Sequence, residues 1–292
     1  MKKQDTPKNK SYALIDSGLG RKLEQFGPAL ISRPCSQAVW QPQLPDPQWQ
    51  KANAVFVREG DTKWNNPSAI DAVWTIEVAG ITFKISPTDF GHLGIFPEQK
   101  QFWDWIQKTI SAARKKEPQR ELHVLNLFAY SGGSTLAAAK AGAHVCHLDA
   151  SKGMVNWARE NAALNNLTQA PVRWIVEDVM KFLGRELKRG KKYDAIILDP
   201  PSFGRGSQGE IFKIEEQIRD LLKSCRALLS DKPEFILFSC HTPGFSPIVM
   251  RHLLTQMMEK IPGEIDQGEM LLTGQEAVFP VPSGTYARWQ HV

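Results

Sequence analysis

Cysteine is scarce in this chain. Its 292 residues hold four, Cys35, Cys146, Cys225 and Cys240, and no two form a Cys-x-x-Cys pair. That spacing argues against zinc knuckles and thioredoxin-type motifs and offers no metal site. So few thiols suit a reducing compartment. Long apolar runs are missing too. None approaches the roughly 20 residues that cross a bilayer, and residues 1–10 lack the apolar core of a signal peptide. The expectation is a soluble, cytoplasmic protein with no membrane partner. Repeats and low-complexity tracts are also absent. With 42% hydrophobic and 23% charged residues, the chain is neither disordered nor collagen-like. Its length suits one large domain or two small ones.

A strong excess of one charge is lacking as well. The net charge is +5, but Lys2, Lys3, Lys8 and Lys10 against Asp5 account for +3 of it. Residues 1–10 therefore read as a basic flexible tail. Residues 181–192 carry six basic side chains against Glu186 alone. That run reads as a nucleic-acid patch or as a solvated helix face.

What is present changes character near residue 115. Before it, residues 54–58, 73–78 and 81–85 are rich in β-branched and aromatic side chains, separated by turn formers. Residues 42–47 read as an extended connector. Residues 98–115 read as an amphipathic helix with Phe102, Trp105, Ile106, Thr109 and Ile110 at helical spacing. The polar stretch 115–120 is the expected boundary. It divides a β-rich N-terminal domain, 11–115, ending in a linking helix, from a second domain, 120–292.

The second domain alternates. Strands are expected at 122–128, 143–148, 172–176, 193–198 and 234–239. Helices are expected at 134–141, 152–165, 179–188, about 210–229 and 246–260. Residues 264–292 read as a terminal strand pair. This pattern predicts an α/β fold: a Rossmann-like, doubly wound, mostly parallel sheet with a terminal antiparallel strand. Ligands in such folds lie beyond the carboxyl ends of the strands.

Each strand end there carries polar chemistry. The first leads into Asn126-Leu127-Phe128-Ala129-Tyr130-Ser131-Gly132-Gly133. Its glycines permit close backbone approach to a ligand, or simply a tight turn. Asp149 ends the second strand, where an acid can accept from ribose hydroxyls or cap the next helix. Asp178 follows the third, to hold an adenine amino group or to cap its helix. The fourth gives Asp199-Pro200-Pro201-Ser202-Phe203. Two prolines stiffen that loop, which can offer a carboxylate and a stacking ring to a planar base, or be a proline-rich turn. The fifth ends in Ser239-Cys240-His241-Thr242. Cys240 reads as a small apolar residue or as a thiolate nucleophile. His241 reads as a structural histidine or as a base.

Together these residues resemble the class I S-adenosylmethionine-dependent methyltransferases. More narrowly they resemble the bacterial large-subunit ribosomal RNA cytosine-C5 methyltransferase I family. The resemblance covers about residues 91–292, through Gly94-Ile95-Phe96-Pro97-Glu98-Gln99, 125–133, 198–203 and Ser239-Cys240. Pro97 and Glu98 depart from that family's usual Leu and Asp, and no PUA domain is evident in residues 1–60. The resemblance implies S-adenosyl-L-methionine as cofactor, with Asn126, Tyr130, Ser131 and Gly132 around its methionine part. Asp149 would hold the ribose and Asp178 would approach the adenine. It also implies an RNA partner, ribosomal by family, with Pro200 and Phe203 against the substrate. Asp199 would line the transfer site and Cys240 would act as the cytosine-C5 nucleophile. The rival expectations are methylation of an exocyclic base amine at the Asp199 loop, methylation of a protein or small molecule, and a non-catalytic nucleotide-binding module.

Overall fold

A computed structural model describes residues 11–58, 63–206 and 209–291. The basic segment 1–10 lies outside them. The chain divides into two compact units, Met1–Lys100 with Leu271–Ser283, and Gln101–Met270 with Gly284–Val292.

In the first unit, strands β1 (Tyr12–Gly18), β2 (Arg21–Phe26) and β3 (Ala29–Pro34) precede a short helix, α1 (Asp46–Trp49), and strands β4 (Ala54–Val57) and β5 (Lys63–Asn65). They form one five-stranded sheet in chain order, antiparallel except between β3 and β4. The first three strands were not anticipated. They are short and rich in polar and charged residues, so they carry little of the apolar alternation that marks a strand. Two carboxylates are buried there and both are matched: Asp16 accepts from the Leu44 amide at 2.8 Å and from Trp49 Nε1 at 3.0 Å, and the other is Glu24. Arg33 donates to both its oxygens at 2.7 and 2.8 Å, and the Tyr12 hydroxyl donates at 3.0 Å. Such burial is tolerable only with partners of this kind. Strands β6 (Trp74–Val78) and β7 (Ile81–Ile85) make a hairpin whose turn, Ala79-Gly80, has both φ positive at 53° and 68°. That is the hand a two-residue turn needs to match strand twist. The connector at 42–47 runs into α1 rather than staying extended throughout.

The second unit holds the alternating elements, apart from the end of the strand at 264–272 and the start of that at 281–290. Helix α2 (Lys100–Lys116) leads to β8 (His123–Leu127), α3 (Gly133–Lys140), β9 (His144–Asp149), α4 (Lys152–Leu164), β10 (Val172–Val176) and α5 (Val179–Lys188). Then come β11 (Ala195–Leu198), β12 (Phe203–Arg205), β13 (Ile211–Lys213), α6 (Ile214–Leu228), β14 (Phe235–Cys240), α7 (Pro247–Met257), β15 (Glu264–Leu272) and β16 (Val281–Gln290). The expected sheet is present, with seven strands in the order β10-β9-β8-β11-β14-β16-β15. β8 to β11 and β14 run parallel, and β16 runs antiparallel to β14. Every residue of β11 and β14 is buried, as expected of parallel strands covered on both faces. The order reverses between β8 and β11, which opens a crevice at their carboxyl ends.

Two expectations differ from the structure. The long helix does not begin near residue 210. Residues 203–213 form the β12–β13 hairpin, and α6 starts at Ile214. Gly204, Gly206 and Gly209 are poor helix formers, while Phe203, Ile211 and Phe212 suit strands. The linking helix α2, from Gln101 on, groups with the second unit rather than ending the first. Its buried side explains why. Phe102 meets Tyr286 edge-on at 4.8 Å and Trp105 meets Phe235 at 4.9 Å, so the helix is pinned to sheet strands.

Candidate active site

The loop after β8 is built under strain. Phe128 and Tyr130, both bulky, have φ of 55° and 50°, and Gly132 has 92°. Left-handed backbone at such side chains costs on the order of 1–3 kcal/mol each and persists only where neighbours over-determine it. They do so here. The Ala129 amide donates to Leu148 O at 3.0 Å and the Tyr130 amide to Asp149 Oδ2 at 2.9 Å. Ser131 O accepts from Asn161 Nδ2 at 2.9 Å. The two glycines serve different needs. At Gly132 the positive φ excludes most side chains, and a Cβ would also stand 3.0 Å from that of Ala158. At Gly133 a Cβ would meet Trp103 Cζ2 at 2.5 Å. The chain therefore turns tightly here and presents its backbone at the start of α3.

The loop rests on a buried polar chain. Asn126 Nδ2 donates to Thr135 Oγ1 at 2.9 Å, and that hydroxyl lies 2.9 Å from His147 Nδ1. Asn126 thus engages the interior beneath the loop. Burial, aided by the charge of Arg159, lowers the His147 pKa to about 3 and keeps the ring neutral. Thr135, His147 and Asn161 were missed by sequence reasoning. A signal did exist: each is a polar residue interrupting an apolar strand or helix face.

Asp149 ends β9, and its other oxygen accepts from the Ser151 amide at 2.8 Å. Burial raises its pKa, against the pull of those two amides. It organises the turn, and each oxygen retains acceptor capacity for a hydroxyl. Ser151, not Asp149, caps α4. Asp178 lies two residues beyond Val176, which pairs with Asp149 across β10 and β9. Its Oδ1 caps α5 through the Lys181 amide at 3.0 Å.

On the other side of the crevice, Asp199 follows β11 and Cys240 ends β14, strands in register with Leu198 beside Phe238. Their loops are joined, since Ser202 Oγ and Thr242 Oγ1 are 2.8 Å apart. His241 Nε2 stands 3.7 Å from Asp199 Oδ2. Cys240 is 1% exposed and its Sγ accepts from the Thr242 amide at 3.4 Å. Burial raises its pKa, with Asp199 and Glu215 adding to the effect against two hydrogen bonds from Thr242. The resting group is a thiol. Pro200 is buried and Phe203 is half exposed at the start of β12.

The basic run at 181–192 proves to be largely an ion-paired helix face. Lys181 pairs with Glu210, Arg185 with Glu177 and Arg189 with Glu186, while Lys192 Nζ donates to Ala227 O.

A strained glycine turn, an acid ending the next strand and an Asp-Pro-Pro loop thus line one crevice. Residues 54–257 match the family described as S-adenosylmethionine-dependent methyltransferase. The chain belongs to that family. The likeness extends to whole structures. A SAM-dependent methyltransferase from Agrobacterium tumefaciens is 38% identical, with a TM-score of 0.90, over 98% of this chain and 92% of that one. The methyltransferase SMU.776, complexed with SAH, has a TM-score of 0.73 at 18% identity and covers 97% of this chain and 76% of its own, a likeness of fold. Among curated relatives, ribosomal RNA large subunit methyltransferase K/L of Marinobacter nauticus is 29% identical over 59% of this chain and 23% of its own length. Methyltransferase I of Aeromonas salmonicida is 30% identical over 56% and 39%. The chain thus matches well under half the length of these curated relatives. The family's cofactor is S-adenosylmethionine, and the residues present suit it. The turn at 128–132 offers close backbone approach, and Asp149 and Asp178 follow adjacent strands. No helix among the described residues is long and apolar enough to cross a membrane.

Proposed function

We propose that this chain methylates RNA, with ribosomal RNA as substrate and C5 of a cytosine as acceptor, and that it works in the cytoplasm. The observation that carries this reading is the pairing of Asp199 and Cys240 at neighbouring strand ends, their loops joined by Ser202 and Thr242. The names of the curated relatives support RNA as the substrate class. Backbone around Tyr130, Ser131 and Gly132 would hold the methionine part of the cofactor, Asp149 its ribose and Asp178 its adenine edge. S-adenosylmethionine supplies an electrophilic methyl on a sulfonium.

Cytosine C5 is a weak nucleophile, and the protein's task is to activate it. Cys240 gives its proton to water as the base enters, and the Sγ thiolate adds to C6 of the ring. The ring electrons then move toward C5, which would take the methyl while the S–CH3 bonding pair stays on the cofactor's sulfur as a neutral thioether. Asp199 hydrogen-bonds N3 or the exocyclic amine where charge develops. Loss of the C5 proton to water, with breakage of the C6–Sγ bond, restores the aromatic ring. Pro200 keeps the carboxylate fixed, and Phe203 offers its exposed ring to the RNA beside the target base. A paired cytosine must first be flipped out of its helix.

One observation favours a second reading. Cys240 is buried and protonated, whereas the Asp199 side chain is 26% exposed. Asp199 and the rigid loop alone can accept from an exocyclic amine of adenine or guanine, without a cysteine. The experiment is labelled methyl transfer from S-adenosylmethionine into RNA of cells lacking this protein, with wild type beside Cys240→Ala. Label in 5-methylcytidine that vanishes in the variant supports the thiol route. Label in a purine, indifferent to Cys240, establishes the second reading. Absence of label in RNA overturns both and turns the search to proteins and small molecules.

A further inference from the structure

The β12–β13 hairpin has no part in the sheet that positions the site, yet it grows directly out of the Asp199 loop. Its register pairs Phe203 with Lys213, Gly204 with Phe212 and Arg205 with Ile211. Alternation along a strand then puts Phe203, Arg205, Ile211 and Lys213 on one face and Gly204 and Phe212 on the other. The two faces differ sharply. Phe212 is buried, and its ring packs 5.1 Å from that of Phe128 in the strained loop. All four residues of the opposite face are exposed, with Phe203 at 50% and Ile211 at 52%. The Arg205 guanidinium lies 5.7 Å from the centre of the Phe203 ring.

We propose that this outer face is the arm that grips single-stranded RNA next to the target base, with Phe203 and Ile211 under neighbouring bases and Arg205 and Lys213 against the phosphates. The proposal rests on the RNA reading above and adds a binding surface to it. Three observations select this occupant. The face carries two cations and no acid, which complements a polyanion. The one acid within the hairpin, Glu210, is drawn away into its pair with Lys181. Lys213 pairs with Glu216 only in solvent, at 2.8 Å, where an arriving phosphate can displace the carboxylate. Aromatic platforms flanked by cations are the usual means of holding single strands without reading sequence. The hairpin is also held in place. Phe212 anchors its inner face, and the Ile214 amide donates to Ser202 O at 3.2 Å. A strand bound there continues from the carboxylate of Asp199 rather than from a distant surface.

The test uses the full chain and two probes, a short fluorescein-labelled single-stranded RNA of mixed sequence and total RNA from cells lacking the protein. Anisotropy titrations across a range of salt give affinity and its salt slope. Phe203→Ala is expected to weaken RNA binding roughly tenfold to a hundredfold, with Phe203→Tyr restoring it. Arg205→Ala is expected to reduce the slope of log affinity against log salt by about 0.7. Both variants should bind S-adenosylmethionine and melt as wild type does, because the substituted side chains face solvent. Wild-type affinity and slope in both variants, while wild type methylates RNA, overturn the arm and leave the RNA reading standing. Failure of wild type itself to bind or methylate RNA overturns the reading beneath it. Loss of methyl transfer into protein, rather than RNA, in the hairpin variants overturns the arm in favour of a protein-docking face.

Discussion

The two glycines after β8 allow a test of why this turn has the sequence it has. At Gly132 the constraint is the backbone itself, since φ is 92°. Alanine there brings left-handed strain of roughly 1–2 kcal/mol and a tight contact with Ala158. At Gly133 the constraint is space. An added Cβ falls 2.5 Å from Trp103 Cζ2 and 2.6 Å from Cε2, and Trp103 is 3% exposed. The indole must move through a packed interior, which costs about 1–3 kcal/mol. The two causes separate in a double-mutant cycle. Trp103→Leu alone is expected to cost about 2–4 kcal/mol as a large-to-small change. Combined with Gly133→Ala it should cost about 1–2 kcal/mol less than the sum, because the new methyl enters the vacated space. Combined with Gly132→Ala it should be close to additive, because the strain lies in φ and not in the indole. Urea denaturation followed by fluorescence and circular dichroism gives all five values, and isothermal titration with S-adenosylmethionine follows the site. A coupling below about 0.5 kcal/mol between positions 103 and 133 would refute the steric argument, and strong coupling between 103 and 132 would refute the backbone one.

Other outcomes follow from the same structure. Arg120 joins the starts of three strands, reaching Asp194 and Glu234, each at 2.6 Å, and the Lys232 carbonyl. Arg120→Ala leaves two partly buried carboxylates without their cation, so a loss of about 2–4 kcal/mol is expected in chemical denaturation. A loss near zero would show that water replaces the guanidinium. His147 is neutral when folded and protonates more readily when unfolded, so the unfolded chain binds the extra proton and stability falls as pH drops. Between pH about 6.5 and 5, wild type should lose about 1.6 kcal/mol more than His147→Gln, and parallel stability curves would contradict this. Because burial holds Cys240 as a thiol, single-turnover methyl transfer by the thiol route should quicken with pH through neutrality and into the alkaline range. A flat profile would count against ionisation of Cys240 before addition.

Much of this molecule was legible without coordinates. The apolar runs ending near residues 127, 148, 176, 198 and 239 alternate with helical periodicity, and that alone implies a parallel sheet whose carboxyl edge collects the polar residues. Asp149, Asp178, Asp199 and Cys240 could be singled out because each ends or closely follows such a run. Tertiary structure decided the rest, because the deciding partners are remote in sequence. Asn161 looks like an ordinary helix polar group until it donates to Ser131, 30 residues away. The basic run at 181–192 looks available until Glu210, 29 residues from Lys181, is brought against it; Glu177, in the turn just before α5, pairs locally with Arg185. The hairpin at 203–213 was hidden by the helix that follows it. The burial of Cys240 comes from packing between β14 and its neighbours, not from residues adjacent to it in sequence. Local periodicity fixes which face of an element is apolar, whereas charge neutralisation and burial depend on what the folded chain brings against that face.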